Sequence, residues 1–465
     1  MESGGHLDHA PWARAWERID ADFEGHLEEI RRFLRRPTVS AADDDMLAGA
    51  EHVAALIEAA GGSAEIVATP GHPAVLGRIE GDGPTLLRYM MYDVQPADEP
   101  GWSSPPFAAA TAEVPGAGPS VIARGAANSK GALASFLLAV ASARRVSDLP
   151  AEIVLLADGE EELGSPHLPG VMEARRGDLA AEAAFDLDLG ADRGGVAEVY
   201  LGCKGIVGFA LSCSGGEWGG PVGRALHSSE GPVISSPAWS LVRVLAALTE
   251  EANHDALDGL PVGTVPAEDE HLLDALARDF DPDAHLEEAG AQAYSGSKDP
   301  RSILKALMYD PAVNLNGISS GSLTGKTILP HEARAVLDVR IPYGTEIERL
   351  VAGIERCVAR VAPEVKVEDV QVCPPSRTTA HSPVARAMVE SQRDVGSPPR
   401  VWPSAPWWAP FYLFEEALGI PFASGGAGHA GGAHAADEYA TIEGMREHMR
   451  QSIAFLHRFA QASRC

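Results

Sequence analysis

Residues 85–96 read "TLLRYMMYDVQP", an apolar run that stops at an aspartate and a proline. Residues 151–165, "AEIVLLADGEEELGS", repeat that design, with a cluster of acids where the run ends. Nearly continuous apolar runs of this length fit strands covered on both faces. Between them lies "GALASFLLAVASARRV", long and apolar enough for a buried helix. Strand, helix, strand implies an α/β layered sheet with parallel pairings. In such sheets ligands gather beyond the carboxyl ends of the strands. Both acidic clusters fall there.

Upstream, the pattern from about Trp12 to Arg35 is helical, and "PTVSAADDD" breaks it at Pro37. "MLAGAEHVAALIEAAGG" is a second amphipathic helix, closed by Gly61 and Gly62. "SAEIVATP" and "AVLGRIEG" come next as short strands. Downstream the texture changes. "KGIVGFALSCS" is a strand and "SSPAWSLVRVLAALTEE" a helix. "PAVNLNGISSG" and "TILPHEARAVLDVRIP" each read as a strand, "TEIERLVAGIERCVARV" as a helix and "EVKVEDVQV" as a strand. That order, β-α-β-β-α-β, is the ferredoxin-like pattern. It carries a long irregular stretch around residues 254–273. "HSPVARAMVESQRDVG", "FYLFEEALGIPFASGG" and "EGMREHMRQSIAFLHRFAQ" then resume the first texture. The expectation is a discontinuous α/β domain, 1–202 and 374–465, interrupted by an inserted domain, 203–373.

A chain of 465 residues is too long for one compact core. Its 45% hydrophobic and 22% charged content is that of a soluble globular protein. A formal net charge of −29 disfavours nucleic acid and gives no support to an anionic-membrane role. The cysteines (Cys203, Cys213, Cys357, Cys373 and Cys465) are scattered with no CxxC pair, which fits a reducing compartment. The N-terminus reads as a short tail leading into a helix, without an apolar signal region, and no long apolar run occurs anywhere. A cytoplasmic protein is expected.

The polar residues at the strand ends carry the chemistry. Asp93 follows one strand, Glu160, Glu161 and Glu162 another, and Asp188 ends "AAFDLD". Near the C-terminus "GHAGGAHAADEY" sets His429 and His434 in a glycine-rich loop. Any one of these acids is explained by solvation alone. Carboxylates and histidines at successive strand ends suit a hydrolytic metal site.

In this order the motifs resemble the M20 family of zinc peptidases and amidohydrolases, nearest in pattern to its carnosinase-like dipeptidases. "YDVQPADEPGWSSPPF" is similar to the segment after the family's first metal histidine. "IARGAANSKGALASFLLA" is similar to the segment with the bridging aspartate, and "LADGEEELGSPHL" to the paired-glutamate segment. Asp188 lies fourteen residues before Gly202 of "YLGCKG", the family's spacing for its next ligand. "LNGISSGSLTGKTILPHEARAVLDVR" resembles the strand pair of its lid, and "GGAHAADEY" its final histidine segment. The resemblance covers nearly the whole chain. It implies an M20-type catalytic domain with a mixed, largely parallel sheet, and an inserted lid that forms a homodimer.

The resemblance also implies roles. One zinc would take the residue at Met91, the bridge at Asn128, and Asp188. The other would take the bridge, Glu162 and His434. Glu161 would be the general base, with Asp93 orienting the first histidine. His227 in "RALHSSEG" matches a lid histidine that polarises the scissile carbonyl, and Arg340 a lid arginine that receives a substrate carboxylate.

The departures are as informative. Methionine stands where the family has its first histidine, and asparagine where it has the bridging aspartate. A thioether is a poor partner for Zn²⁺, and a neutral amide brings no charge to offset two dications. The expectation is at most one zinc per chain, or none. "PSAPWWAPF" replaces a glycine-serine loop, so Trp407 and Trp408 add bulk near the substrate position, while Ser236 replaces an asparagine that contacts substrate. Three readings stay open. The first is a hydrolase of small carboxylate-bearing amides with a reduced metal centre. The second is a metal-independent enzyme that forms, transfers or cyclises an amide. The third is a non-catalytic binding protein.

Overall fold

A computed structural model describes residues 10–249, 264–396 and 398–464. The N-terminal tail expected over residues 1–9 therefore lies outside the described residues. The chain divides into two compact units, one of residues 1–202, 377–403 and 409–465, the other of 203–376 and 404–408.

The first unit begins with α1 (Ala13–Leu34), whose buried Ile19, Phe23, Ile30 and Phe33 recur at helical spacing. α2 (Met46–Ala59) follows, then β1 (Ser63–Val67), β2 (Ala74–Ile79) and β3 (Thr85–Met91). β4 (Ala110–Val114) and β5 (Gly118–Ile122) form a hairpin before α3 (Lys130–Arg144). β6 (Glu152–Asp158), α4 (Leu168–Ala174), β7 (Ala183–Leu187) and β8 (Glu198–Tyr200) complete this passage, and β9 is the dipeptide Gly202–Cys203.

The second unit contains β10 (Gly205–Ser214), β11 (Leu226–His227) and α5 (Pro237–Thr249). Residues 254–263 of the stretch expected to be irregular lie outside the described residues. Beyond them the expectation is corrected, because α6 (Glu270–Asp279), α7 (Pro282–Glu288) and α8 (Pro300–Tyr309) are helices. Asp281 and Asp299 cap α7 and α8 by accepting backbone N–H groups of their first turns. β12 (Ala312–Ser320), β13 (Ile328–Leu329), β14 (Glu332–Ile341), α9 (Ile347–Val361), β15 (Val365–Cys373) and β16 (Ser376–Arg377) come after them. The segment read as one strand over residues 327–342 is thus two, separated at Pro330 and His331. Proline has no N–H for a ladder.

The four-stranded sheet of this unit runs β12-β14-β10-β15, all antiparallel. In chain order that is the ferredoxin-like arrangement. α5 and α9 cover one face, burying Ala333, Ala335, Leu337, Val339 and Ile341 on alternate positions of β14.

The chain then returns to the first unit with α10 (Pro383–Val395), β17 (Arg400–Trp402), β18 (Phe422–Gly426), β19 (Ala430–Gly431), β20 (Tyr439–Thr441) and α11 (Ile442–Ala462). Its main sheet has the order β1-β2-β6-β3-β7-β18-β8-β17. β6, β3, β7 and β18 run parallel at its centre, so this is a mixed, largely parallel sheet. The register pairs Met91 with Asp158, so the two strands singled out by the sequence end side by side. Among the described residues no helix is long and apolar enough to cross a membrane.

Candidate functional site

The turn after β6 gathers the carboxylates. Asp158, the last residue of β6, is buried; its Oδ2 accepts from Ser165 Oγ at 2.6 Å and its Oδ1 from the Glu160 N–H at 3.0 Å. Glu161–Leu163 is a single tight turn, closed by Gly164 in the left-handed region at φ 84°. Asp93, fully buried just past β3, fixes that turn by accepting the N–H groups of Glu161 and Glu162, each at 3.1 Å. Burial, and then the charge of Asp158, pushes the Asp93 carboxyl up to about 8.

Glu161 is held well above the ordinary carboxylate range, first by burial and then by Glu162, Asp93, Asp158 and Asp186. Of the two glutamates that flank it in the sequence, Glu162 contributes to that rise. Glu160 turns away, with Oε2 2.7 Å from His167 Nδ1 and Oε1 accepting the His72 N–H at 3.2 Å.

The positions expected to hold metal are occupied differently. Met91 ends β3 with 7% of its surface exposed, so its thioether is core material. Asn128 lies between β5 and α3. Its Nδ2 donates to Glu162 Oε1 at 2.8 Å and lies 2.9 Å from His434 Nε2. His434 Nε2 is itself 3.1 Å from the same Glu162 oxygen, a bond that raises the imidazole pKa. Gln95 Nε2 donates to the other Glu162 oxygen at 2.7 Å. Asn128, Glu162 and His434 are therefore brought together, bonded to one another. Asp188 follows β7, with its carboxyl pushed well up by burial and by neighbouring Asp186. Its Oδ1 is buried with no hydrogen-bond partner among the described residues.

This donor set does not fit two zinc ions. The first position retains one charged donor, Asp188, beside a thioether and an amide. The second retains Glu162 and His434, where a catalytic zinc normally has three protein ligands. Among the described residues no group of three or more His, Cys, Asp or Glu side chains is arranged to hold a metal ion.

Two features escape the sequence reading. Glu438, four residues after His434, is completely buried; its Oε1 accepts the N–H groups of Ala127 and Asn128, each at 2.9 Å. Its Oε2 takes Arg124 Nη1 at 2.8 Å, and Arg124 also lies over the Trp102 ring at 5.3 Å. This clamp ties the Asn128 loop to the His434 loop. Its only signal in the sequence is an acid shortly after a glycine-rich histidine segment. The second feature is Arg88, buried in the middle of β3 and ion-paired with Asp186 of β7. A lone arginine in an apolar run, with the first of the two aspartates in "AAFDLD", is its signal.

The remaining candidates belong to the second unit. His227, on β11, is exposed, with Nδ1 2.9 Å from Ser229 Oγ and Nε2 3.5 Å from Thr327 Oγ1. Arg340, on β14, is one-third exposed and 3.4 Å from Asp338. Ser236 precedes α5, and its carbonyl accepts the Ser240 N–H at 3.1 Å. Trp407 is partly exposed, and the Trp408 indole N–H is buried with no hydrogen-bond partner among the described residues.

The model of peptidase family M20/M25/M40 matches residues 92–462. Among solved structures, the M20 family metallo-carboxypeptidase Sso-CP2 from Sulfolobus solfataricus is 27% identical, covering 94% of this chain and 99% of that one, with a TM-score of 0.82. The di-peptidase Dug1p from Saccharomyces cerevisiae is 20% identical over 97% of this chain and 99% of its own, TM-score 0.77. Human carnosine dipeptidase 1 is 18% identical over 96% and 99%, TM-score 0.74. The last two likenesses speak to the fold.

Proposed function

The chain belongs to peptidase family M20/M25/M40, and from that premise we propose that it acts on an amide or peptide-like bond of a small amino-acid derivative bearing a carboxylate, through a reduced centre with at most one zinc per chain, or none. The observation that carries this reading is the Asn128 amide bonded to both Glu162 and His434. The amide donates to Glu162 Oε1 and brings no charge of its own to a position where two dications need a charged bridge.

Glu161 is the acid–base residue of this reading. Asp93 positions it by gripping the backbone of its turn, which leaves the Glu161 carboxyl for the reacting bond. Burial and its acidic neighbours raise the proton affinity of Glu161, which suits it to take a proton from the attacking group and then hand that proton to the departing amine. In the second unit, His227 polarises the substrate carbonyl and Arg340 receives its carboxylate. The partial exposure of both supports those roles. Ser236, Trp407 and Trp408 shape the substrate position. We assign the dimer contact to the second unit as well. β12 is exposed along nearly its whole length, and Trp239 on α5 is 68% exposed. Uncovered sheet edges invite pairing.

The same Asn128 bonds favour a second reading, in which the enzyme forms, transfers or cyclises an amide without metal. Elemental analysis of the purified protein, followed by a screen of dipeptides and N-acyl amino acids with and without zinc, separates the two. Hydrolysis that needs no added zinc supports the first reading. Full two-zinc occupancy overturns the reduced centre.

A further inference from the structure

We propose that Arg88, locked to Asp186, is a built-in positive charge that stands in for the first metal ion and keeps a dication away from Asp188. This rests on the reduced-centre reading and says what replaces the missing charge. Arg88 sits three residues before Met91 on β3 and is 1% exposed. Its guanidinium pairs with Asp186 and donates from Nη2 to the Leu187 carbonyl at 2.8 Å, the peptide group that leads directly into Asp188. The rings of Phe136 and Phe185 lie 5.4 and 5.5 Å from its central carbon.

Asp186 and Asp188 are two residues apart at the end of β7 and so point to the same side of the strand. Two carboxyls packed that closely need a cation beside them or must give up charge. An arginine cannot shed its proton, so this cation is permanent. The cost of burying it is offset by Asp186, a carbonyl and two aromatic faces. A dication brought to Asp188 would meet that fixed charge one peptide group away, at the Leu187 carbonyl, in a poorly solvated place where like charges repel strongly. Loss of the ligands at Met91 and Asn128 and the presence of Arg88 then work together. Restoring the ligands alone restores the first metal only weakly.

Zinc binding by calorimetry and elemental analysis tests this on three full-length proteins: the natural chain, Met91→His with Asn128→Asp, and that double variant with Arg88→Leu and Asp186→Leu added. The double variant is expected to take one equivalent tightly, through the carboxylate introduced at position 128 together with Glu162 and His434. It should take a second about 10- to 100-fold more weakly than the fourfold variant does. The fourfold variant takes two. If Leu at both positions disturbs folding, Arg88→Gln with Asp186→Asn keeps a neutral hydrogen-bonded pair, and the same difference is expected. Equal second-site affinity with and without the Arg88–Asp186 pair overturns the proposal. Two zinc ions in the natural chain overturn the reduced-centre reading itself. At most one in the natural chain, with two equally tight ones in the double variant, leaves that reading standing and removes only Arg88's part.

Discussion

β3 and β6 are neighbours that pair in parallel and finish at the same edge, Met91 opposite Asp158. Their ends are unlike. The end of β6 opens into a turn whose backbone is pinned by Asp93 and whose side chains are carboxylates. The end of β3 finishes in a thioether packed as core. On the proposed reading, the acid–base half and the metal-holding half of such a site are separable, with the groups that move protons at one strand end and no metal-holding group at its neighbour.

Glu161→Gln puts the contrast at greatest risk. Turnover of any substrate found should fall by about two to four orders of magnitude, the range for general acid–base catalysis. An unchanged rate constant would show that the β6 end is as inert as the β3 end; a ligand that binds and is never turned over, by the natural protein or the variant, would instead favour the binding-protein reading.

The next effect concerns the loop that carries Asn128. Glu438→Ala takes from the buried Arg124 one of its two carboxylates, Glu99 remaining, and leaves two backbone N–H groups unbonded. Urea unfolding should show a loss of about 2–4 kcal/mol. A loss below about 1 kcal/mol would mean that the loop is held by other contacts.

A third test reaches beneath the sheet that both strands share. His448, on α11, is buried with Nε2 3.0 Å from the Leu187 carbonyl, and burial pushes its pKa down to about 4. The folded state binds this proton less readily than the unfolded chain does, so the stability tied to neutral His448 is full above about pH 6.5 and is lost as pH falls toward 4. His448→Gln keeps a donor and removes the titration. Relative to that variant, the natural protein should lose about 2 kcal/mol between pH 7 and pH 4.5, measured by denaturant titration. A gap that does not change with pH would contradict a neutral buried imidazole.

The smallest effect belongs to Met91. Met91→Leu conserves volume and should change stability by less than about 1.5 kcal/mol, with turnover nearly unaltered. A large fall in turnover here, with little at Glu161, would reverse the assignment of the two strand ends.

The sequence is most legible where burial is apolar. The continuous runs of β3 and β6, the helix α3 between them and the alternating β14 are visible because hydrophobic periodicity reports a covered face. α6, α7 and α8 are less so. They are short and largely polar, and α7 and α8 begin at capping aspartates that also read as loop acids. The site divides the same way. Asp93, Glu161, Glu162, Asp188, Met91 and Asn128 stand at strand ends or in a recognisable motif. Glu438, Arg124, Arg88 and Asp186 are charges buried by one another, and a charge in a linear sequence carries no mark of the partner that will bury it.

The position of β18 has a consequence for how the protein is made. This strand comes from the last tenth of the chain, yet it lies between β7 and β8, which are more than two hundred residues older on the ribosome. The strands of the second unit's four-stranded sheet belong to one uninterrupted stretch, 205–373, so that sheet can form as soon as it has emerged. The larger sheet cannot. Its gap stays open, and the His434 loop and Glu438 are still unmade, until residues 422–441 have been translated. A chain released early would carry Glu161 and Asp93 without the clamp that completes their surroundings.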